Sequence, residues 1–243
     1  MNLKIDLSKT LTDEQVYQSI MKNYSQLSKD WVFHQWNWMN SVYWAFNDHY
    51  KYMIIISLVE KTLHFYDQMN IKYSYEEYYS ASFQQIEKFS IYELCEKLKL
   101  PKETVRRKVL ELENQGVIKR INKKILIDRK AFKLIKPENQ IKFSAKYIYL
   151  VSRFLYEENF YSKKLDVNSI EKIIRENFSL CWRWFYRMQI PLIIGYKDFM
   201  RDLTTFHIFG TIAMHQVLNS SKHLESLNAT LIPLDHLSTS EII

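Results

Sequence analysis

A mainly α fold with one small β-hairpin near its centre is what this sequence predicts, on three observations. Glycine occurs 3 times and proline 4 times in 243 residues. So few turn-formers supply neither the corners of an all-β sandwich nor the Gly-rich loops of a nucleotide-binding α/β fold. Apolar residues instead recur every three or four positions over long runs on both flanks. The third observation is charge. Between Phe83 and Lys136 there are 15 Lys/Arg against 7 Asp/Glu, whereas the whole chain carries 34 against 27. Everything outside that window is therefore close to neutral. A surplus confined to one small module is an electrostatic footprint for a polyanion.

The elements follow in order. Thr12-Asp13-Glu14-Gln15 has the form of a capping box and opens a helix through Val16, Ile20, Tyr24 and Leu27. From Trp31 to Gln68 there is no Gly or Pro, and the apolar spacing predicts two or three helices with breaks near Asn47-Asp48 and Asn70. The Tyr- and Ser-rich stretch Tyr73 to Ser82 reads as a connector. After the basic window, Pro137 interrupts. One helix is expected over Ala145 to Tyr161, and another opens at the capping box Asn168-Ser169-Ile170-Glu171 and runs toward Trp184. Pro191 and Gly195 predict a break, followed by a helix from Lys197 to Leu218. This divides the chain into a helical segment 1–80, a basic module 83–136, a helical segment 140–228 expected to pack with 12–80 as one helical domain, and a tail 229–243.

Within the module, Ser90 is an N-cap with Glu93 at the third helical position, and Ile91, Leu94, Cys95 and Leu98 share one face. Lys99-Leu100-Pro101 forms the turn. Pro101 suits a helix start because its missing N–H would have no partner there. Val105, Val109 and Leu112 make the buried stripe of the second helix, and Gly116 is its left-handed stop. Val117 to Ile121, a turn at Asn122-Lys123, and Lys124 to Asp128 complete a hairpin. Helix, turn, helix and hairpin is the layout of a winged helix–turn–helix: three helices with a small β-hairpin, flanked here by two aromatic-rich helical segments.

The runs Ile91-x-x-Leu94-Cys95-x-x-Leu98-x-Leu100-Pro101-x-Glu103-Thr104-Val105-x-Arg107 and Leu112-Glu113-x-x-Gly116-Val117-Ile118 resemble the winged helix–turn–helix of bacterial transcription regulators of the Crp and MarR kinds. The resemblance covers about fifty residues. Lys102 to Arg107 is similar to the Arg-Glu-Thr-Val-x-Arg run that opens the recognition helix of Crp-type regulators, with Lys in place of the leading Arg. It implies that Lys102, Glu103 and Arg107 face base edges and Thr104 a phosphate. Chemistry agrees independently: Arg107 can bond guanine O6 and N7 together, and Glu103 can accept from cytosine N4. Arg106, Lys108, Lys119, Arg120, Lys123 and Lys124 are better suited to phosphates, which fix register without reading sequence.

Other features carry less. Cys95 and Cys181 are far apart and make neither a disulfide framework nor a zinc ribbon. His207, His215 and His223 recur every eight residues, which on a helix rotates each about 80° past the last, so they do not converge on one ion. The aromatic groups around Trp31 to Phe46 and Trp182 to Tyr186 read as core first, and as a subunit interface or apolar pocket second. No carboxylate pair, Ser–His–Asp set or phosphate loop suggests an enzyme, and no cofactor is expected. The longest apolar run, Met53 to Val59, is far short of a membrane span. The expectation is a cytoplasmic, homodimeric transcription regulator of double-stranded DNA, with an apolar small molecule as a possible effector. The alternatives are a plasmid or phage replication initiator, or a scaffold whose winged helix docks protein.

Overall fold

The computed structural model describes residues 11–81, 83–86, 90–121, 124–128 and 137–226, with side chains as far as 220. Ten helices and three strands lie among them: α1 (Asp13–Lys22), α2 (Tyr24–Phe46), α3 (His49–Gln68), α4 (Tyr75–Ser80), β1 (Phe83–Ile86), α5 (Ile91–Leu98), α6 (Lys102–Asn114), β2 (Ile118–Ile121), β3 (Lys124–Asp128), α7 (Glu138–Glu157), α8 (Val167–Glu176), α9 (Phe178–Met200) and α10 (Leu203–Ser226). The fold is mainly α with one small antiparallel sheet. No helix among the described residues is long and apolar enough to cross a membrane.

The chain divides into two compact units, each drawing on both flanks. The first comprises Met1–Trp36, Asn139–Lys172 and Gly210–Ile243. Its first helix is capped by Thr12 and Gln15, which satisfy each other's backbone N–H groups as the sequence indicates. Leu27, Ile141, Ala145, Phe154, Leu155, Ile170 and Met214 form the core. Trp31 meets Tyr147 at 5.3 Å between ring centres, Phe33 meets Phe143 edge-on at 5.3 Å, and the Trp36 indole donates to Thr211 at 3.2 Å. These aromatics are half-buried beside that core, where tilted and edge-on pairs add to their area burial.

The second unit comprises Asn37–Glu138 and Ile173–Phe209. Its spine is α3, buried all round from Lys51 to Val59 and packed along α9. A helix apolar on every side must be enclosed on every side. α9 covers one face through Phe178, Trp182 and Phe185, stacked at 5.2 and 4.7 Å, and Trp38 bridges Tyr52 and Phe185. α5, α6 and β1 also pack on α3. The breaks expected at Asn47-Asp48 and Asn70 are present. Asn47 and Asn70 take left-handed φ, and Asp48 caps α3 by accepting from the N–H of Tyr50 and Lys51.

Four local expectations need correction. The connector 73–82 contains α4, because Ser74 and Glu77 form a capping box and Tyr75 and Tyr78 are buried against Phe178. The hairpin is joined by β1, giving sheet order β1-β3-β2 with Phe83 opposite Asp128 and Ile86 opposite Ile125. Asp166, not Asn168, caps α8 by accepting from the N–H and hydroxyl of Ser169. Finally, α9 passes straight through Pro191 and Gly195. A proline inside a helix costs about 3 kcal/mol, but Gln189, Ile190, Ile193 and Ile194 bury beside it while Pro191 faces solvent. The break falls instead at Arg201, in left-handed φ, and Asp202, which accepts from Thr204 and Thr205. The expected turn at Asn122-Lys123 and tail 229–243 lie outside the described residues.

Candidate nucleic-acid interface

Each end of the helix–turn–helix is closed by its own sequence. Ser90 Oγ accepts from the Glu93 N–H at the start of α5. Lys99 then takes left-handed φ, and the N–H groups of Lys99 and Leu100 return to Glu96 and Cys95 carbonyls. Pro101 directly precedes α6, one position earlier than the sequence suggests, and its carbonyl accepts from Val105. At the far end Gly116 has φ +70, its N–H bonds the Glu113 carbonyl, and the Val117 N–H bonds Leu112. That pair of bonds is a Schellman motif, whose left-handed residue suits glycine.

These ends fix which face of α6 turns inward. Val105, Val109 and Leu112 are fully buried where α6 packs on α5, α3 and β2. Lys102, Glu103, Arg106, Arg107, Leu110 and Asn114 are consequently all exposed. Thr104 is half-buried beside them. The base-reading candidates Lys102, Glu103 and Arg107 thus share one solvent-facing strip with Arg106. In the free protein Glu103 grips the Arg106 guanidinium through two bonds, at 3.0 and 2.8 Å. That guanidinium holds the Glu103 carboxyl below its ordinary value. Arg107 stays largely free, with Glu111 3.9 Å away.

The wing carries the remaining cations. Lys119 and Arg120 are exposed on β2, and Lys124 is half-buried at the start of β3. Arg120 is bound in a fork to Glu113 of α6 at 2.5 Å, which ties β2 to α6. Lys123 lies outside the described residues.

Lys108 does not share the outward strip. Its side chain is 14% exposed, and its ammonium sits 2.5 Å from Asp48, the cap of α3, and 3.1 Å from Glu111. Glu111 also takes Lys51, itself buried, at 3.0 Å. Burial works to lower the Lys108 ammonium, but Asp48 and Glu111 outweigh it and hold it above its ordinary value. Lys108 and Lys51 therefore clamp α6 to α3. The signal was in the spacing, since Lys108 stands three residues after Val105 and four before Leu112, at the edge of the buried stripe. Lys51 carried no such signal, because its partner is sixty residues away.

The topology now on the page is a helix, a strand, two helices in a helix–turn–helix and a two-stranded wing on that first strand. Residues 82–123 match the DeoR-like helix-turn-helix domain. The DeoR-like segment spans β1, α5, α6 and β2, about a sixth of the chain. It is a winged DNA-binding helix–turn–helix from a different branch than the Crp and MarR regulators that Lys102 to Arg107 resembles. Such a domain points to DNA binding and transcription regulation. Neither curated proteins nor solved structures yield a match to the chain.

Proposed function

We propose that the chain is a sequence-specific transcription regulator that lays α6 in the major groove of duplex DNA. The observation that carries this reading is the outward strip of the DeoR-like segment, where Lys102, Glu103, Arg106 and Arg107 all face solvent. Lys102, Glu103 and Arg107 read base edges, each good contact being worth about 1–3 kcal/mol of discrimination. Thr104, Arg106, Lys119, Arg120, Lys123 and Lys124 contact phosphates and set register. Lys108 leaves that set, because its ion pairs hold it against α3. Glu103 must release Arg106 for both to act, so base reading and phosphate binding are coupled at this pair.

The protein acts as a homodimer, because one winged helix covers little DNA and two double the site. Support comes from the large side chains left in solvent on the second unit, Trp44 at 73% and Phe199 at 79% exposure among them. Large apolar side chains in solvent mark an interaction surface where they gather into one patch. Binding of selected genomic duplexes by the wild type and by Lys102→Ala/Arg107→Ala tests the base-reading roles. Equal binding by the two proteins, or none by the wild type at low salt, removes them. Light scattering tests the dimer, which a single-chain mass both free and on DNA contradicts.

A further inference from the structure

Both flanks of α6 are held by ion pairs inside the second unit. On one side Lys108 takes Asp48 and Glu111 takes Lys51, both at the start of α3. On the other Glu113 takes Arg120 of β2. Together with the buried stripe of Val105, Val109 and Leu112, these pairs fix the rotation of the helix about its own axis. Glu103, Arg107, Leu110 and Asn114 stand at i, i+4, i+7 and i+11, which is a single line along a helix. That line lies opposite the buried stripe, and all four residues are exposed. Leu110 is the apolar member of the line, and it is 46% exposed.

A lone exposed leucine is ordinary on a surface that meets only water. Leu110 stands instead next after Arg107 on the face assigned above to the groove. The rise from Arg107 to Leu110 is about 4.5 Å along the helix, little more than one base step of about 3.4 Å. Each base pair shows the major groove its own pattern of donors and acceptors, and thymine alone adds an apolar group, its 5-methyl. A leucine side chain has no polar atom, so that methyl is what it can read. Against a cytosine amino group or a guanine O6 it displaces water and returns no hydrogen bond, which costs free energy. The line thus sets out three chemistries in order: an acceptor on Glu103, paired donors on Arg107 and an apolar end on Leu110.

We propose that Leu110 is a further specificity-determining residue, which reads the 5-methyl of a thymine about one or two base pairs from the base that Arg107 reads. This deepens the DNA-binding reading above and rests on it. In the test, the full chain selects duplexes from a random-sequence pool. In the tightest of them each thymine is then replaced in turn by uracil, which pairs alike but lacks the 5-methyl. One such replacement is expected to weaken wild-type binding about three- to fourfold, the worth of one buried methyl. The same replacement leaves binding by Leu110→Ala unchanged. Leu110→Ala keeps the wild-type thermal midpoint, because the side chain is exposed and alanine favours a helix. No uracil effect in the wild type, or one of equal size in Leu110→Ala, overturns the assignment. So does a changed mass of free Leu110→Ala in light scattering, which would place the side chain in a subunit contact. If the selected duplexes show base preferences that depend on Lys102 and Arg107, but no methyl effect that depends on Leu110, this assignment falls alone. If the wild type enriches no duplex, the DNA reading falls and Leu110 with it.

Discussion

On α6, Arg107 and Lys108 are neighbours in sequence and opposites in environment. The Arg107 side chain is 64% exposed, with a single carboxylate at 3.9 Å. Lys108 is 14% exposed, with Asp48 at 2.5 Å and Glu111 at 3.1 Å. A single residue step, about 100° around the helix, therefore separates a charge available to a ligand from a charge spent on holding the helix in place. The difference teaches that the positive surplus of the central module is not one footprint. Part of it faces outward on α6 and the wing, and part is the internal electrostatics of the second unit.

The sharpest way to break this comparison is to remove each kind of charge in turn. Lys102→Ala/Arg107→Ala is expected to weaken specific duplex binding by about 2–6 kcal/mol, two base contacts at the usual range. Its thermal midpoint should stay close to wild type, because neither side chain is buried. Fluorescence anisotropy and thermal unfolding read the two effects. Lys108→Ala should do the reverse. It leaves Asp48 and Glu111 without their shared cation and is expected to cost about 1–3 kcal/mol of stability, with duplex affinity of the folded protein little changed. A loss of affinity without a loss of stability in Lys108→Ala would return that residue to the phosphate set.

Acid attacks the inner group from both signs of charge. Burial, aided by His207, holds His49 at about 4 instead of 6.5. The unfolded chain takes up that proton below pH 6.5 while the folded chain does not, so stability falls as pH drops from 6.5 toward 4. Glu111 is held below its ordinary 4.5 by the Lys51 hydrogen bond first, and by Lys108, against the cost of burial. Its contribution is present above 4.5 and is lost as pH falls through the lower folded value. Burial holds His34 at about 4 as well and lowers His207, so thermal unfolding against pH should decline in two stages, and His49→Asn should reduce the upper one without removing it. The smallest expected effect is at Gly116, where a Cβ meets nothing within 4 Å but φ is +70. Gly116→Ala should cost about 1 kcal/mol in chemical unfolding, from backbone strain alone.

How much of this was legible depends on where the determining partner lies. The ends of α5 and α6 were readable because Ser90, Pro101 and Gly116 act on neighbours within a few residues. The buried stripe Val105, Val109 and Leu112 was readable from its period. β1 was not, because Phe83 to Ile86 is four residues that become a strand only by pairing with Asp128 to Ile125. Pro191 misled for the same reason: its local cost is real, and the packing of α9 along α3 outweighs it. At the candidate interface, the outward residues followed from helical period alone. The removal of Lys108 needed Asp48, sixty residues away in sequence.

The central claim is that the outward cations, and not Lys108, meet the DNA. The salt dependence of duplex binding tests it most directly, because each neutralised phosphate adds its own increment to the slope. With Arg106, Lys119, Arg120, Lys123 and Lys124 on phosphates, log affinity against log salt should fall with a slope of about −4 to −5. Lys108→Ala should keep that slope, and Arg106→Ala should reduce its magnitude by about one. A slope that shrinks in Lys108→Ala and holds in Arg106→Ala would contradict the account.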